Sequence, residues 1–144
     1  MGIKKKTGFV RQIEGDLYTP IAIYQMITGR KKFLFFFSLK HQQQGRYSFI
    51  GSNPHMELIA DGNQVIIQKE DGVSEVVKGK FLDVLIDYLP EVNEEDFLFP
   101  LMGGAIGYIG YDIIRQYEYI GPELHDELDM PEAHVMFYRD VIVY

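Results

Sequence analysis

Apolar and polar positions alternate with a period of two through the middle of the chain, and the alternation is interrupted twice by an Asp-Gly pair. Met56-Glu57-Leu58-Ile59-Ala60 runs to Asp61-Gly62, Val65-Ile66-Ile67-Gln68 runs to Asp71-Gly72, and Val73 to Val77 follows. Asp-Gly supplies the positive φ that tight hairpin turns require, so this stretch predicts an antiparallel meander. From Lys80 to Leu89 the period becomes helical, with Phe81, Val84, Leu85, Tyr88 and Leu89 at i, i+3, i+4, i+7 and i+8. Pro90 ends that helix.

Towards the N-terminus, Phe9 to Ile13 reads as a short strand. Thr19-Pro20 opens a helix with a capping threonine and proline in the first turn, Ile23, Tyr24 and Ile27 form its apolar face, and Gly29 stops it. Phe33 to Phe37 predicts a strand buried on both faces, Lys40 to Gly45 a polar turn, and Arg46 to Gly51 a strand that ends at the breaker Ser52-Asn53-Pro54. In the C-terminal half, Asn93 to Asp96 and Gly121 to Pro131 read as acidic loops, and Asp112 is placed to cap a short helix running through Arg115 and Tyr117. Ala133 to Tyr144 reads as one long strand with no turn or polar tail after it, which predicts a piece cut from something longer.

Gly103-Gly104-Ala105-Ile106-Gly107-Tyr108-Ile109-Gly110-Tyr111-Asp112 stands apart from these elements. At strand period, Gly103, Ala105 and Gly107 share a face with almost no side chains, so another backbone or a ligand must come close. A tight sheet-on-sheet contact with Tyr108 and Tyr111 filling the core is the favoured reading, ahead of direct ligand contact. The stretch lacks the Lys-Ser/Thr ending of a phosphate loop and the glycine spacing of a dinucleotide fold.

The length, 144 residues, suits a single domain over 1–144, and 47% hydrophobic with 24% charged residues is ordinary for a globular protein. No cysteine is present, which removes disulfides, thiolate metal sites and a cysteine nucleophile, and suits a reducing cytoplasm. The longest apolar run, Phe33 to Phe37, is far too short to span a bilayer, so no membrane role is expected. The net charge of −7 is uneven: residues 1–50 hold nine Lys/Arg against Glu14 and Asp16, while residues 51–144 hold five against nineteen acids. Because the basic residues are scattered, the expected partner is an acidic surface, within this chain or beyond it, and not a nucleic acid.

No serine lies in a nucleophile-elbow context, and His41, His55, His125 and His134 lack a hydrolase signature. Glu123, His125, Asp126, Glu127 and Asp129 lack the spacing of a calcium loop and read as a solvated loop, as do Glu94, Glu95 and Asp96. No metal site is expected. Ser38, Arg46, Tyr47 and Ser48 are the more promising set: an arginine and hydroxyls beside aromatics would suit an amino acid's carboxylate and apolar side chain. The plainer alternative is a surface arginine with sheet hydroxyls paired in the ladder.

Gly45-Arg46-Tyr47-Ser48-Phe49-Ile50-Gly51, followed by the Gly103–Asp112 motif, resembles the N-terminal domain of anthranilate synthase component I. The resemblance extends over nearly the whole chain, from Thr19-Pro20 to Arg139-Asp140-Val141-Ile142-Val143-Tyr144. It implies an α+β fold of packed antiparallel sheets with a few helices. It also implies that a C-terminal part, not in this chain, holds the chorismate and Mg2+ site, so that this part carries no catalytic residue and no cofactor. The implied partners are that chorismate-binding domain, a glutamine amidotransferase subunit and L-tryptophan.

The same resemblance makes Ser38, Arg46 and Tyr47 candidates for the tryptophan feedback site, and Gly103, Gly104, Gly107, Tyr108, Gly110 and Tyr111 an interface motif. Phe37 stands where the family has a glutamate, which implies weakened or absent inhibition by tryptophan. The sister branch, aminodeoxychorismate synthase, and a free-standing β-rich binding module are the alternatives.

Overall fold

A computed structural model describes residues 9–38, 46–91, 99, 101, 104–122 and 129–144. The elements run α1 (Pro20–Met26), β1 (Phe33–Ser38), β2 (Arg46–Gly51), β3 (Met56–Asp61), β4 (Gln64–Lys69), β5 (Ser74–Lys78), α2 (Phe81–Tyr88), β6 (Ile106–Ile109), a 3-10 helix (Tyr111–Gln116), β7 (Ala133–Phe137) and β8 (Ile142–Val143). They form two antiparallel sheets with strand orders β1-β2-β8 and β5-β4-β3-β7-β6. This is the expected α+β architecture, and the β3-β4-β5 meander and α2 fall where the periodicity put them.

The sheets meet at a shared corner. β2 leads into β3 through 52–55, and β7 leads into β8 through 138–141, while β2 neighbours β8 and β3 neighbours β7. Two adjacent strand pairs therefore cross together from one sheet to the other. The ladder continues on both sides of the corner: the His55 amide donates to the Phe137 carbonyl (2.9 Å), and Ser48 and Tyr144 exchange both backbone bonds (2.9 Å each).

The main core lies between one face of the five-stranded sheet and α2. Leu58, Val65, Ile67 and Val135 come from the sheet, Phe81 and Val84 from the helix, and Ile113 from the 3-10 helix. Gln116 ties these together, its Oε1 accepting from the Phe81 amide (2.8 Å) and its Nε2 donating to the Gly62 carbonyl (2.9 Å). At the other end, the Thr19 hydroxyl caps α1 by accepting from the Ala22 amide (3.2 Å). Thr19→Ala should lower stability by about 1 kcal/mol in a urea titration, the usual loss for such a cap.

Five local expectations are corrected. Phe9 to Ile13 forms no strand, and Phe9 is 91% exposed; Arg11-Gln12 breaks the run, and no described strand pairs with it. β1 is buried on neither face along its length, with Phe35 48% and Phe36 62% exposed, because it is an outer strand paired only to β2. Ala133 to Tyr144 is two strands, not one, since Arg139 and Asp140 lie at the corner, where Arg139 bonds Glu70 (2.5 Å). Gly110, not Asp112, caps the 3-10 helix, and Asp112 sits inside its first turn, accepting from Arg115 (2.7 Å).

The fifth concerns the glycine stretch. Tyr108 and Tyr111 are not core filler, being 36% and 79% exposed. β6 is an outer strand, which leaves Tyr108 partly exposed, and its hydroxyl donates to the Pro131 carbonyl (2.9 Å).

Candidate functional site

The register of β1 and β2 sets Ser38 opposite Arg46 at one end of the pair. Next along the ladder Phe37 faces Tyr47, then Phe36 faces Ser48. Successive strand positions alternate between faces, so Tyr47 shares its face with Phe37, Phe35 and Phe49, not with Phe36 and Ser48. The ring centroids confirm an aromatic face: Phe35 to Phe37 is 6.4 Å, Tyr47 to Phe49 is 6.2 Å, and Phe99 meets Tyr47 edge-on at 6.3 Å. Ser48, by contrast, is buried. Tyr47 and Ser48 thus fall on opposite faces, and no carboxylate stands among Phe35, Phe36 and Phe37. At the opposite end of the pair, around Gly51, a cleft of about 360 Å³ opens at the corner between the sheets, with Ile27, His55 and Arg139 among its walls.

Gly107 explains why the glycine stretch is needed. It pairs with Val135, and a Cβ at this position would lie 2.0 Å from the His134 carbonyl oxygen and 2.8 Å from the Val135 Cα. What comes close is the neighbouring strand of the same sheet, not a second sheet packed on top. Gly110 is crowded in the same way by the Glu132 carbonyl, 2.7 Å from its would-be Cβ. Gly104 has open space but a φ of +120°. Gly103 lies outside the described residues, as do the acidic loops at 94–96 and 123–127. Among the described residues no group of three or more His, Asp or Glu is placed to hold a metal ion, and no helix is long and apolar enough to cross a membrane.

One cluster escaped the sequence reading. Glu57, the second residue of β3, is buried and bonds both Lys31 and His134; its Oε2 lies 2.5 Å from the Lys31 Nζ and 2.6 Å from the His134 Nε2. Lys31, from the basic half of the sequence, thus meets an acid of the other half. The Tyr138 hydroxyl donates to the Lys31 carbonyl (2.5 Å), and the Tyr108 ring stands edge-on to His134 at 6.5 Å. The hint lay in Glu57 and His134 themselves, each a polar interruption of an apolar strand.

Burial acts to raise the Glu57 pKa and is the largest single influence, but the hydrogen bonds and charges of Lys31 and His134 together outweigh it and hold the carboxyl below its usual 4.5. Burial, with help from the Glu57 charge, pushes Tyr138 up to about 12. A depressed carboxylate contributes stability that is present above its unfolded pKa and lost as pH falls through the folded one. Acid unfolding should therefore show a loss of stability below about pH 4.5 that Glu57→Gln lacks. Equal acid sensitivity in both proteins would show that the carboxylate is not stabilised by its partners.

No family model matches the sequence. Among curated proteins, anthranilate synthase component 1 of Acetivibrio thermocellus is 31% identical over 145 residues, covering 92% of this chain and 28% of that protein. The Lactococcus lactis subsp. lactis (strain IL1403) protein of the same name is 29% identical over 136 residues, covering 94% of this chain and 29% of its own length. The crystal structure of anthranilate synthase component I from Streptococcus pneumoniae TIGR4 matches with a TM-score of 0.59 at 27% identity, over 95% of this chain and 29% of that one. The chain spans less than a third of the length of the relatives it matches. Over 92–95% of its length the chain is thus similar, in sequence and in fold, to a part of anthranilate synthase component I.

Proposed function

We propose that residues 1–144 are the N-terminal, regulatory and structural domain of an anthranilate synthase component I. The full protein would add ammonia, drawn from glutamine by an amidotransferase subunit, to chorismate and eliminate pyruvate, giving anthranilate for tryptophan synthesis in the cytoplasm. Chorismate and Mg2+ are assigned to a C-terminal part outside this chain, which leaves this domain catalytically silent. Its own role is to carry the effector strand end and to pack the glycine stretch against its partner domain.

The observation that carries the regulatory reading is the register of Ser38 opposite Arg46 across β1 and β2. An arginine at a strand end suits an amino acid's carboxylate. The ligand's ammonium is less well served, because Phe37, paired with Tyr47 in the ladder and beside Phe35, stands where a carboxylate would be needed. Without a carboxylate there the ligand's ammonium has no ionic partner, so tryptophan should inhibit weakly or not at all.

The test is product identity from chorismate, ammonium and Mg2+ in the full-length protein, with and without L-tryptophan. Anthranilate formation with little inhibition is the expected result, and Phe37→Glu should raise tryptophan sensitivity by about tenfold, the worth of one charge-assisted hydrogen bond. Strong inhibition that vanishes on Ser38→Ala would overturn the Phe37 argument. Aminodeoxychorismate as product would move the chain to the sister branch, and no turnover of chorismate would make it a β-rich binding module.

A further inference from the structure

We infer that Glu57 is a positioning residue: with Lys31 and His134 it forms an ionic strut across the corner between the two sheets, setting where β1 stands relative to the glycine strand β6. Each member comes from a different part of the chain. Lys31 lies two residues before β1, Glu57 is in β3 and His134 is in β7. Tyr108 of β6 extends the line by its edge-on contact with His134. A continuous series of contacts thus runs from β6 through His134, Glu57 and Lys31 to the start of β1.

The segment bearing Lys31 is fixed from several directions. The Arg30 amide donates to the Asn53 Oδ1 (2.8 Å), and the Asn53 amide returns a bond to the Arg30 carbonyl (2.9 Å). The Tyr138 hydroxyl holds the Lys31 carbonyl, and the Phe33 and Tyr138 rings meet edge-on with centroids 4.7 Å apart. Lys31 itself has a φ of +49°. Such a backbone conformation is sparsely populated for a residue with a Cβ and persists where the surroundings over-determine it. Held there, Lys31 carries its ammonium to the buried Glu57 carboxylate. Asn53 and Tyr138 occupy the two chain segments that turn the corner, so the strut braces the corner itself.

The strut deepens the proposed regulatory role, and rests on it for one consequence only: a ligand at the Ser38/Arg46 end of β1 would be felt at β6 through Glu57. Its mechanical content is independent and is tested by amide hydrogen exchange on the full chain, without effector or substrate. Lys31→Met and Glu57→Gln should each speed exchange across β1 by about tenfold or more, and the double variant should add little to either, as expected of residues acting as one unit. Lys31→Arg, which keeps the charge, should restore protection. Exchange in β1 that is unchanged by Lys31→Met, or effects that simply add, would overturn the strut. Should Glu57→Gln fail to fold, Lys31→Met and Lys31→Arg alone decide, since Lys31 is the partly exposed partner. A strut that fails here leaves the anthranilate assay untouched, and an effector reading that fails there leaves these exchange rates standing.

Discussion

Gly107→Ala is expected to lower stability by about 3 kcal/mol, the upper end for overpacking a site that cannot give. The obstacle is backbone: the added methyl would sit 2.0 Å from the His134 carbonyl oxygen, and a carbonyl engaged in a sheet has no alternative rotamer. Relief requires β6 to move away from β7, giving up the pairing of Ile106–Ile109 with Ala133–Met136. Gly104→Ala provides the contrast. Nothing lies within 4 Å of its would-be Cβ, so only the φ of +120° is at stake and the loss should be nearer 1 kcal/mol. Urea midpoints of the two variants check the difference, and equal losses would show that the Gly107 contact relaxes freely. The interface role proposed for the stretch depends on this strand staying seated.

Phe81→Ala should be the second large loss, about 3 to 5 kcal/mol for a buried aromatic truncated to alanine. Phe81 is fully buried at the first turn of α2, where it packs with Leu58, Val65 and Ile67 from the sheet and Ile113 from the 3-10 helix. Its amide is also the donor to Gln116, so the cavity lies where helix, sheet and 3-10 helix join. The helix should loosen first, visible as faster amide exchange over 81–88 before the strands follow. A loss below about 1 kcal/mol would mean that the site collapses around the smaller side chain.

The parts of the fold that were legible in the sequence are those with a local cause. β3, β4 and β5 follow from alternation closed by Asp-Gly turns, and α2 from apolar residues at helical spacing ended by Pro90. Boundaries set by distant neighbours were not legible. A strand of phenylalanine and leucine reads as buried whether it lies at the centre or the edge of a sheet, and only the pairing reveals that β1 is outermost. Arg139-Asp140 fits the polar positions of a continuing strand, so the corner before β8 left no mark. At the candidate site, Ser38, Arg46 and Tyr47 were recognised as a set, but whether they share a face depends on a register that composition cannot supply. The Lys31-Glu57-His134 strut was invisible for a similar reason: its members are separated by 26 and 77 residues, and only folding brings them together.

The shared corner constrains how the chain can change length. Because β2 to β3 and β7 to β8 cross side by side, the two connections must advance in step to keep both ladders aligned. One residue inserted into 52–55 alone would shift β2 by one position against β8 or β3 against β7, turning its inward side chains outward. A matching insertion in 138–141 would restore the alignment. Gains and losses of residues at these two segments should therefore be tolerated only in pairs, whereas the hairpin turns at Gly62-Asn63 and 70–73 lie away from the corner and do not carry this constraint.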